Sequence, residues 1–269
     1  MICRNCKKEY EPQYLELMGV RILKGQGYCP ECARVVCEGE EAKEKVAREA
    51  AIATTRREWR QSCGIPPKFM FEEFATFCAE GDRLAFSNAH KRCLDYASKF
   101  SLDKKYPSML LYSDHSWGVG KTHLAASIAH TILNKWNGKP MACPVRFISE
   151  PDLFLRIQAT YNYTPEEKPY RESESDIIKS LIGVRLLILD DVGKRKVQDL
   201  RFVQRVMFSI IDGRYKAMRP VVITANLDPE RLKQYLGAGQ GDEATFDRIW
   251  EMVKGKVIKM DGQSYRRRK

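Results

Sequence analysis

No stretch of the sequence approaches the roughly 20 apolar residues that a membrane-spanning helix requires, which argues against any membrane role. The N-terminus has no apolar leader; it is polar and cysteine-bearing, and cytoplasmic residence is the expectation. No segment repeats, so a solenoid or propeller is excluded. Acidic residues are in deficit. The 35 Asp and Glu stand against 46 Lys and Arg, for a formal net charge of +11. The excess is concentrated in two places. Arg185–Arg219 holds nine basic and four acidic residues, and Lys254–Lys269 seven basic and one acidic. Such patches predict a polyanionic partner, with nucleic acid the natural one.

What the chain does have is 43% hydrophobic and 30% charged residues over 269 positions, enough for one full globular domain and a small appendage. Nine cysteines are present. Four form two CxxC pairs, Cys3–Cys6 and Cys29–Cys32, separated by 22 residues. Each pair brings two thiolates to one tetrahedral ion, and four close a structural site. Zinc is the expected ion; iron and four unligated thiols are the alternatives. A module of residues 1–37 has too small a core to fold unaided, so the metal would supply the missing stability. Docking of a protein partner suits it better than DNA contact, because its six basic and four acidic residues nearly balance. Cys37 is a spare candidate ligand. With Cys63, Cys78, Cys93 and Cys143 it otherwise reads as a buried free thiol.

Residues 38–62 read as one helical linker or partner arm. Ala42, Val46, Ala50 and Ala53 recur at helical spacing, and Glu41–Lys45 and Glu44–Arg48 are favourable i,i+4 pairs. Gly64-Ile65-Pro66-Pro67 ends it, since a proline pair cannot continue a helix. Residues 63–260 then form the main domain, in which strands and helices alternate. Strands are expected at 108–112, 145–149, 185–190 and 221–225. Helices are expected at 121–136, 152–161, 172–182 and 200–216. The strands are continuously apolar, which indicates a central parallel sheet covered on both faces. A polar loop is expected over 161–175. Residues 261–269 form a basic tail.

Gly118-Val119-Gly120-Lys121-Thr122-His123 follows a predicted strand and opens a predicted helix, the context a phosphate-binding loop requires. Its glycines let backbone N–H groups approach phosphate oxygens, and the helix N-terminus adds its positive end. Lys121 would reach the β and γ phosphates of ATP, and Thr122 would offer its hydroxyl to Mg²⁺. The pattern departs from the full GxxxxGKT at one place, where His115 replaces the opening glycine. Leu186-Leu187-Ile188-Leu189-Asp190-Asp191 delivers two carboxylates at the end of an apolar strand. Asp190 would hold Mg²⁺ and Asp191 would polarise the attacking water. In Val221–Asn226, either Thr224 or Asn226 would contact the γ-phosphate or orient the water, with Asn226 favoured. A helix cap is the plainer reading of Asn226.

These motifs, with CGIPPKF (63–69), GVGKTHLA (118–125), LLILDDVG (186–193), RYKAMRPVVITANL (214–227), ATFDRIWEM (244–252) and GQSYRRRK (262–269), resemble the AAA+ ATPases of the bacterial helicase-loader group, DnaC and DnaI, which also includes the transposition ATPase IstB. The resemblance covers residues 60–269. It implies an α/β AAA+ P-loop core preceded by the zinc module and helical linker, ATP hydrolysis, and a homo-oligomeric ring or spiral. It makes Arg248 an arginine finger acting on a neighbour's ATP and Arg214 a second contact of that kind. Aspartate at 191, one methylene shorter than the glutamate usual in AAA+ proteins, implies slow turnover. The insert at 150–183 would contact DNA through Arg156, Tyr161, Tyr163, Lys168, Tyr170, Arg171 and Lys179, with Lys194, Arg195 and Lys196 as a further cation cluster. The implied partners are single-stranded DNA and a DnaB-type replicative helicase, the latter held by residues 1–62. The alternative is an IstB-type ATPase on duplex DNA that recruits a transposase. A third reading is a nucleotide-gated adaptor in which binding alone is the signal.

Overall fold

The computed structural model describes residues 1–18, 20–77, 83–114, 116–164, 166–193, 200–237 and 241–265, with the backbone alone at 83–85. Two compact units divide the chain, Met1–Thr55 and Arg56–Lys269.

The first unit contains an antiparallel hairpin, β1 (Tyr14–Leu17) and β2 (Val20–Leu23), and most of helix α1 (Pro30–Ser62). The helix begins inside the cysteine module rather than after it. Pro30 is pre-set for a first helical turn, and Cys32 therefore lies on the helix itself. The boundary expected at residue 37 is not a structural one. The hairpin escaped the sequence reading because its strands carry no inward–outward contrast. Leu15 pairs with Ile22 and Leu17 with Val20 on one face, and all four are about half exposed.

The second unit is a five-stranded parallel sheet, among the described residues, in the order β4-β5-β6-β3-β7. Its strands are β3 (Met109–Tyr112), β4 (Val145–Ser149), β5 (Leu186–Val192), β6 (Val221–Ala225) and β7 (Val257–Lys259). Helices α2 (Arg83–Lys99) and α3 (Lys121–Asn134) cover one face. The other face carries α4 (Glu150–Ala159), α5 (Glu174–Gly183), α6 (Leu200–Lys216), α7 (Pro229–Leu236) and α8 (Ala244–Val253). Successive β5 residues feed opposite cores: Leu186 and Ile188 pack with α3, Leu187 and Leu189 with α5 and α6. That is why the strand reads as unbroken leucine and isoleucine.

The edge strand β4 is capped by the Gly64 turn. Phe147 N–H donates to the Cys63 carbonyl at 2.8 Å. A Cβ at Gly64 would stand 2.1 Å from the Phe147 carbonyl oxygen, and its φ is +98°, so only glycine fits. Among the described residues no helix is long and apolar enough to cross a membrane.

The segment expected to be a loop at 161–175 instead holds two 3₁₀ turns, Thr160–Asn162 and Lys168–Tyr170, and the capping box of α5. Two of the DNA-contacting groups expected in the insert at 150–183 are already engaged. Arg156 donates to both oxygens of Glu172, at 2.7 and 3.0 Å, and Tyr161 O–H donates to Glu174. Tyr170, Lys168, Arg171 and Lys179 remain exposed.

Arg214 requires a correction. It lies within α6, fully buried, and donates to the carbonyls of Leu181, Ile182, Val184, Arg185 and Pro220. Its guanidinium caps the C-terminal end of α5 and ties it to the start of β5 and β6. Burial first, then the charge of Arg219, bring its pKa down to about 9. A side chain so enclosed cannot reach a neighbouring subunit.

Candidate nucleotide site

The site lies at the C-terminal ends of β3, β5 and β6. Because β6 sits between β3 and β5, residue 226 emerges between the phosphate loop and the two carboxylates. The loop itself turns through Gly118 (φ +74°) and Gly120 (φ +93°) into the first turn of α3. A Cβ at Gly120 would meet the Phe77 ring at 2.6 Å, so an aromatic side chain presses against the loop where only glycine leaves room.

Lys121 is nearly buried, and its Nζ donates to Ser113 Oγ at 2.5 Å and Asn226 Oδ1 at 2.8 Å. Thr122 Oγ1 donates to both Asp190 oxygens at 3.1 Å. The Thr224 hydroxyl donates to Asp190 Oδ1 at 2.6 Å and accepts the Asp191 N–H at 2.9 Å. Thr224 is thus committed behind the carboxylates, and Asn226 occupies the front position. Its Nδ2 stands 3.5 Å from Asp191 Oδ1. The β5–β6 register slips between Leu189 and Val192, and Asp191 takes φ +58°. This bulge turns Asp191 out of the ladder and onto the cavity wall.

Burial first, and then the charge of Asp191, push the Asp190 carboxyl up to about 6. The Thr224 and Thr122 hydroxyls and Lys121 pull the other way. A carboxylate pair, Asp190 buried and Asp191 half-buried on the cavity wall, facing one hydroxyl and one ammonium is the donor set a magnesium–phosphate group would complete. The residues present therefore fit ATP with Mg²⁺.

Lys121, Thr122, Asp191 and Asn226 line a cavity of about 230 Å³, with Asp190 and Thr224 behind its wall. Several lining residues were not anticipated. Phe69, Thr76 and Phe77 come from the segment after the proline pair, and Gln263 and Tyr265 from the C-terminal segment. His123 lines the cavity, but its Nε2 is within 2.9 Å of the Glu73 carbonyl and its Nδ1 3.5 Å from Glu72. It braces the Phe77 segment, with the two rings edge to face at 5.2 Å. Sequence proximity could not have revealed these groups. His115 and the cluster Lys194–Lys196 lie outside the described residues.

Arg248 on α8 does not line this cavity. Its Nε lies 3.0 Å from Asp212 Oδ1, and its guanidinium stands over the rings of Phe208 and Tyr215 at 5.1 and 5.8 Å. Its acidic partner is Asp212 of α6.

In the first unit, Cys3, Cys6, Cys29 and Cys32 bring their sulfurs within 4.8 Å of one another, with Cys6 and Cys29 at 3.7 Å. Four sulfurs about 2.3 Å from a tetrahedral zinc would stand roughly 3.8 Å apart, so the set fits that ion. The Cys29 N–H donates to Cys3 Sγ at 3.2 Å and Asn5 Nδ2 to Cys32 Sγ at 3.5 Å. Desolvation opposes ionisation at Cys3, but the N–H groups of Cys29, Cys6 and Asn5 outweigh it and bring the thiol down to about 6. At Cys32 the Asn5 amide favours the thiolate. The sulfurs of Cys29, Cys6 and Cys3, with desolvation, outweigh it and push that thiol up to about 12. Cys37 is exposed and stands apart from the cluster, contrary to both sequence readings of it. Cys63 and Cys93 are buried as expected, Cys143 partly so; Cys78 is outside the described residues.

The family profile described as IstB-like ATP binding protein matches residues 90–269. The chain belongs to the IstB-like ATP-binding proteins. Among relatives, it is 29% identical over 149 residues to the uncharacterized protein YdaV of Escherichia coli K12, covering 55% of this chain and 52% of YdaV. It is 26% identical over 205 residues to the replicative helicase loader DnaC of the same strain, covering 75% of this chain and 72% of DnaC. The match to DnaC of Buchnera aphidicola (subsp. Baizongia pistaciae) covers 54% of that protein. The chain thus spans about half the length of some of these relatives and three quarters of others. Solved structures of the DnaC helicase loader and of DnaI share the fold. Their TM-scores are 0.56 and 0.52, at 19% and 20% identity, covering 73% and 75% of this chain and 100% and 94% of theirs. The second unit is an AAA+ P-loop fold.

Proposed function

We propose that this IstB-like protein is an ATP-hydrolysing helicase loader. It assembles as a ring or spiral on single-stranded DNA and delivers a DnaB-type replicative helicase, in the cytoplasm. The observation that carries the reading is the convergence of Lys121, Thr122, Asp191 and Asn226 on one cavity, with Asp190 bonded to Thr122 behind it, in a chain whose other unit offers a four-cysteine cluster and a hairpin with an exposed aliphatic face. The loader DnaC relatives support it.

In this reading Gly118, Val119 and Gly120 present backbone N–H groups to phosphate oxygens. Lys121 leaves Ser113 for the β and γ phosphates. Thr122 and Asp190 hold Mg²⁺, which when bound supplies positive charge that draws electron density from the γ-phosphoryl group. Asp191 accepts a proton from the attacking water, and Asn226 orients that water. Arg248, which does not line its own cavity, leaves Asp212 to act on the ATP of an adjoining subunit. The cysteine module is structural, holds Zn²⁺, and with α1 engages the helicase. Its apolar hairpin face suits a protein surface better than a phosphate backbone. Tyr170, Lys168, Arg171 and Lys179 are the exposed groups suited to tracking single-stranded DNA.

The test is capture of a purified ring-shaped replicative helicase by the full chain with Mg²⁺-ATP, in parallel with a chain lacking residues 1–62. Capture that requires those residues, with ATP turnover raised by single-stranded DNA, is expected. A family match spanning 90–269 favours one second reading, an IstB-type ATPase. Preference for duplex DNA, with no helicase capture, would establish it in place of the first.

A further inference from the structure

The nucleotide cavity is lined by two chemically different sets of residues. Lys121, Asp191 and Asn226 bring charge and amide groups. Phe69, Phe77, Trp117 and Tyr265 bring aromatic rings. The first two belong to a wall that is held stiffly. The Phe77 ring stacks on His90 at 5.7 Å between centroids, and His90 meets Phe74 edge-on at 5.5 Å. Tyr265 comes from the far end of the chain, past β7. Three hydrogen bonds bring it there. Met260 N–H donates to the Tyr112 carbonyl at 2.7 Å, Asp261 Oδ1 accepts the Asp114 N–H at 3.1 Å, and Tyr265 N–H donates to the Gly118 carbonyl at 3.0 Å. The segment after β7 therefore follows the end of β3 and is tied to the phosphate loop itself. The Tyr265 ring is 61% exposed and makes no ring contact with another described residue, although it borders the cavity. An aromatic ring left open to solvent beside a phosphate site has the chemistry to cover the face of a nucleobase.

We propose that Tyr265 is a nucleotide-binding residue: its ring and the Phe69–Phe77 wall enclose the purine base of ATP, so the C-terminal segment is part of the site and is fixed by the bound nucleotide. The proposal rests on the reading of this cavity as an ATP site. It concerns the base and not the phosphates, since the Tyr265 backbone N–H that bonds Gly118 would remain in any side-chain variant.

The experiment is titration calorimetry of the full chain, with Mg²⁺-ATP and with Mg²⁺-tripolyphosphate, which has no base. Wild type, Tyr265→Ala and Tyr265→Phe are compared. Loss of one base–aromatic stack corresponds to about a 5- to 150-fold weaker affinity. Tyr265→Ala is expected to lose ATP affinity in that range and to keep tripolyphosphate affinity within about twofold, the scatter of a surface substitution. Tyr265→Phe is expected to restore ATP binding. Unchanged ATP affinity in Tyr265→Ala overturns this inference alone. So does an equal loss for both ligands, which would mean that the ring only supports the phosphate loop. A wild-type chain that takes up neither ligand overturns the ATP reading and this inference with it.

Discussion

Thr224 donates to Asp190 through a 2.6 Å hydrogen bond while accepting the N–H of the next residue, Asp191, at 2.9 Å. One hydroxyl, wholly buried, thereby orients one carboxylate and holds the bulge that presents the other. Thr224→Val keeps the shape and removes both bonds. It should cost about 1–3 kcal/mol of stability and lower ATP turnover by more than it lowers ATP affinity, with Thr224→Ser restoring turnover. Thermal melts beside steady-state kinetics check this. A Val variant with wild-type turnover would remove Thr224 from the positioning role.

Gly120 meets Phe77 where no Cβ can stand. Gly120→Ala should therefore weaken ATP binding at least about tenfold while the fold persists, because strain at positive φ costs roughly 1–3 kcal/mol before any clash is counted. Phe77→Ala in the same chain relieves the clash but not the strain. Calorimetry of the single and double variants with Mg²⁺-tripolyphosphate, which carries no base to meet the Phe77 ring, separates the two contributions, and a double variant no better than the single would show that the clash is unimportant.

Arg248→Ala should leave ATP binding intact and reduce turnover in the assembled state by about 10³-fold or more, the range of a lost arginine finger. Mixing decides whether the guanidinium acts across subunits. Arg248→Ala chains mixed with Asp191→Asn chains pair intact carboxylates with intact fingers, so part of the turnover should return. No recovery in the mixture would place Arg248 in a purely internal role with Asp212.

Chelation should strip one zinc per chain and melt the Met1–Thr55 unit, while the thermal transition of the Arg56–Lys269 unit stays in place. Elemental analysis beside calorimetry measures both. The four ligands must lose their protons to bind, so zinc retention should fall as pH is lowered. A metal-free chain with an unchanged N-terminal transition would show that the module folds by packing alone.

Arg214→Ala leaves five carbonyls without their buried donor. Roughly 3 kcal/mol or more of lost stability, or about 6–12 °C in melting temperature, is expected. Arg214→Lys should not rescue it, since one ammonium cannot reproduce the planar fork that spans α5, β5 and β6. A melting point within about 2 °C of wild type would overturn this account.

The parts of this fold legible in the sequence are those whose cause is local. Leu186–Leu189 announces a strand covered twice because each residue meets a core on its own side. Gly118–Thr122 shows a phosphate loop because glycine and lysine act within five residues of one another. What was not legible depends on distant partners. Phe77 and Tyr265 stand 188 positions apart and share a wall only after the chain has folded. Arg214 looked available because a charged residue near a helix end is usually solvated, whereas here the carbonyls of another helix's last turn claim it. The β1–β2 hairpin was missed because alternation signals a strand only where one side is buried. The α1 boundary was misplaced because cysteine spacing marks the metal and not the backbone.

The torsion at Asp191 bears on why an aspartate stands there. A left-handed backbone suits a short polar side chain that can bond to its own main chain, and penalises a longer one. Lengthening the acid to glutamate would carry its carboxylate further into the cavity while straining the kink that aims it. Chemical reach and conformational ease pull in opposite directions at that single position, and in this protein the second has prevailed.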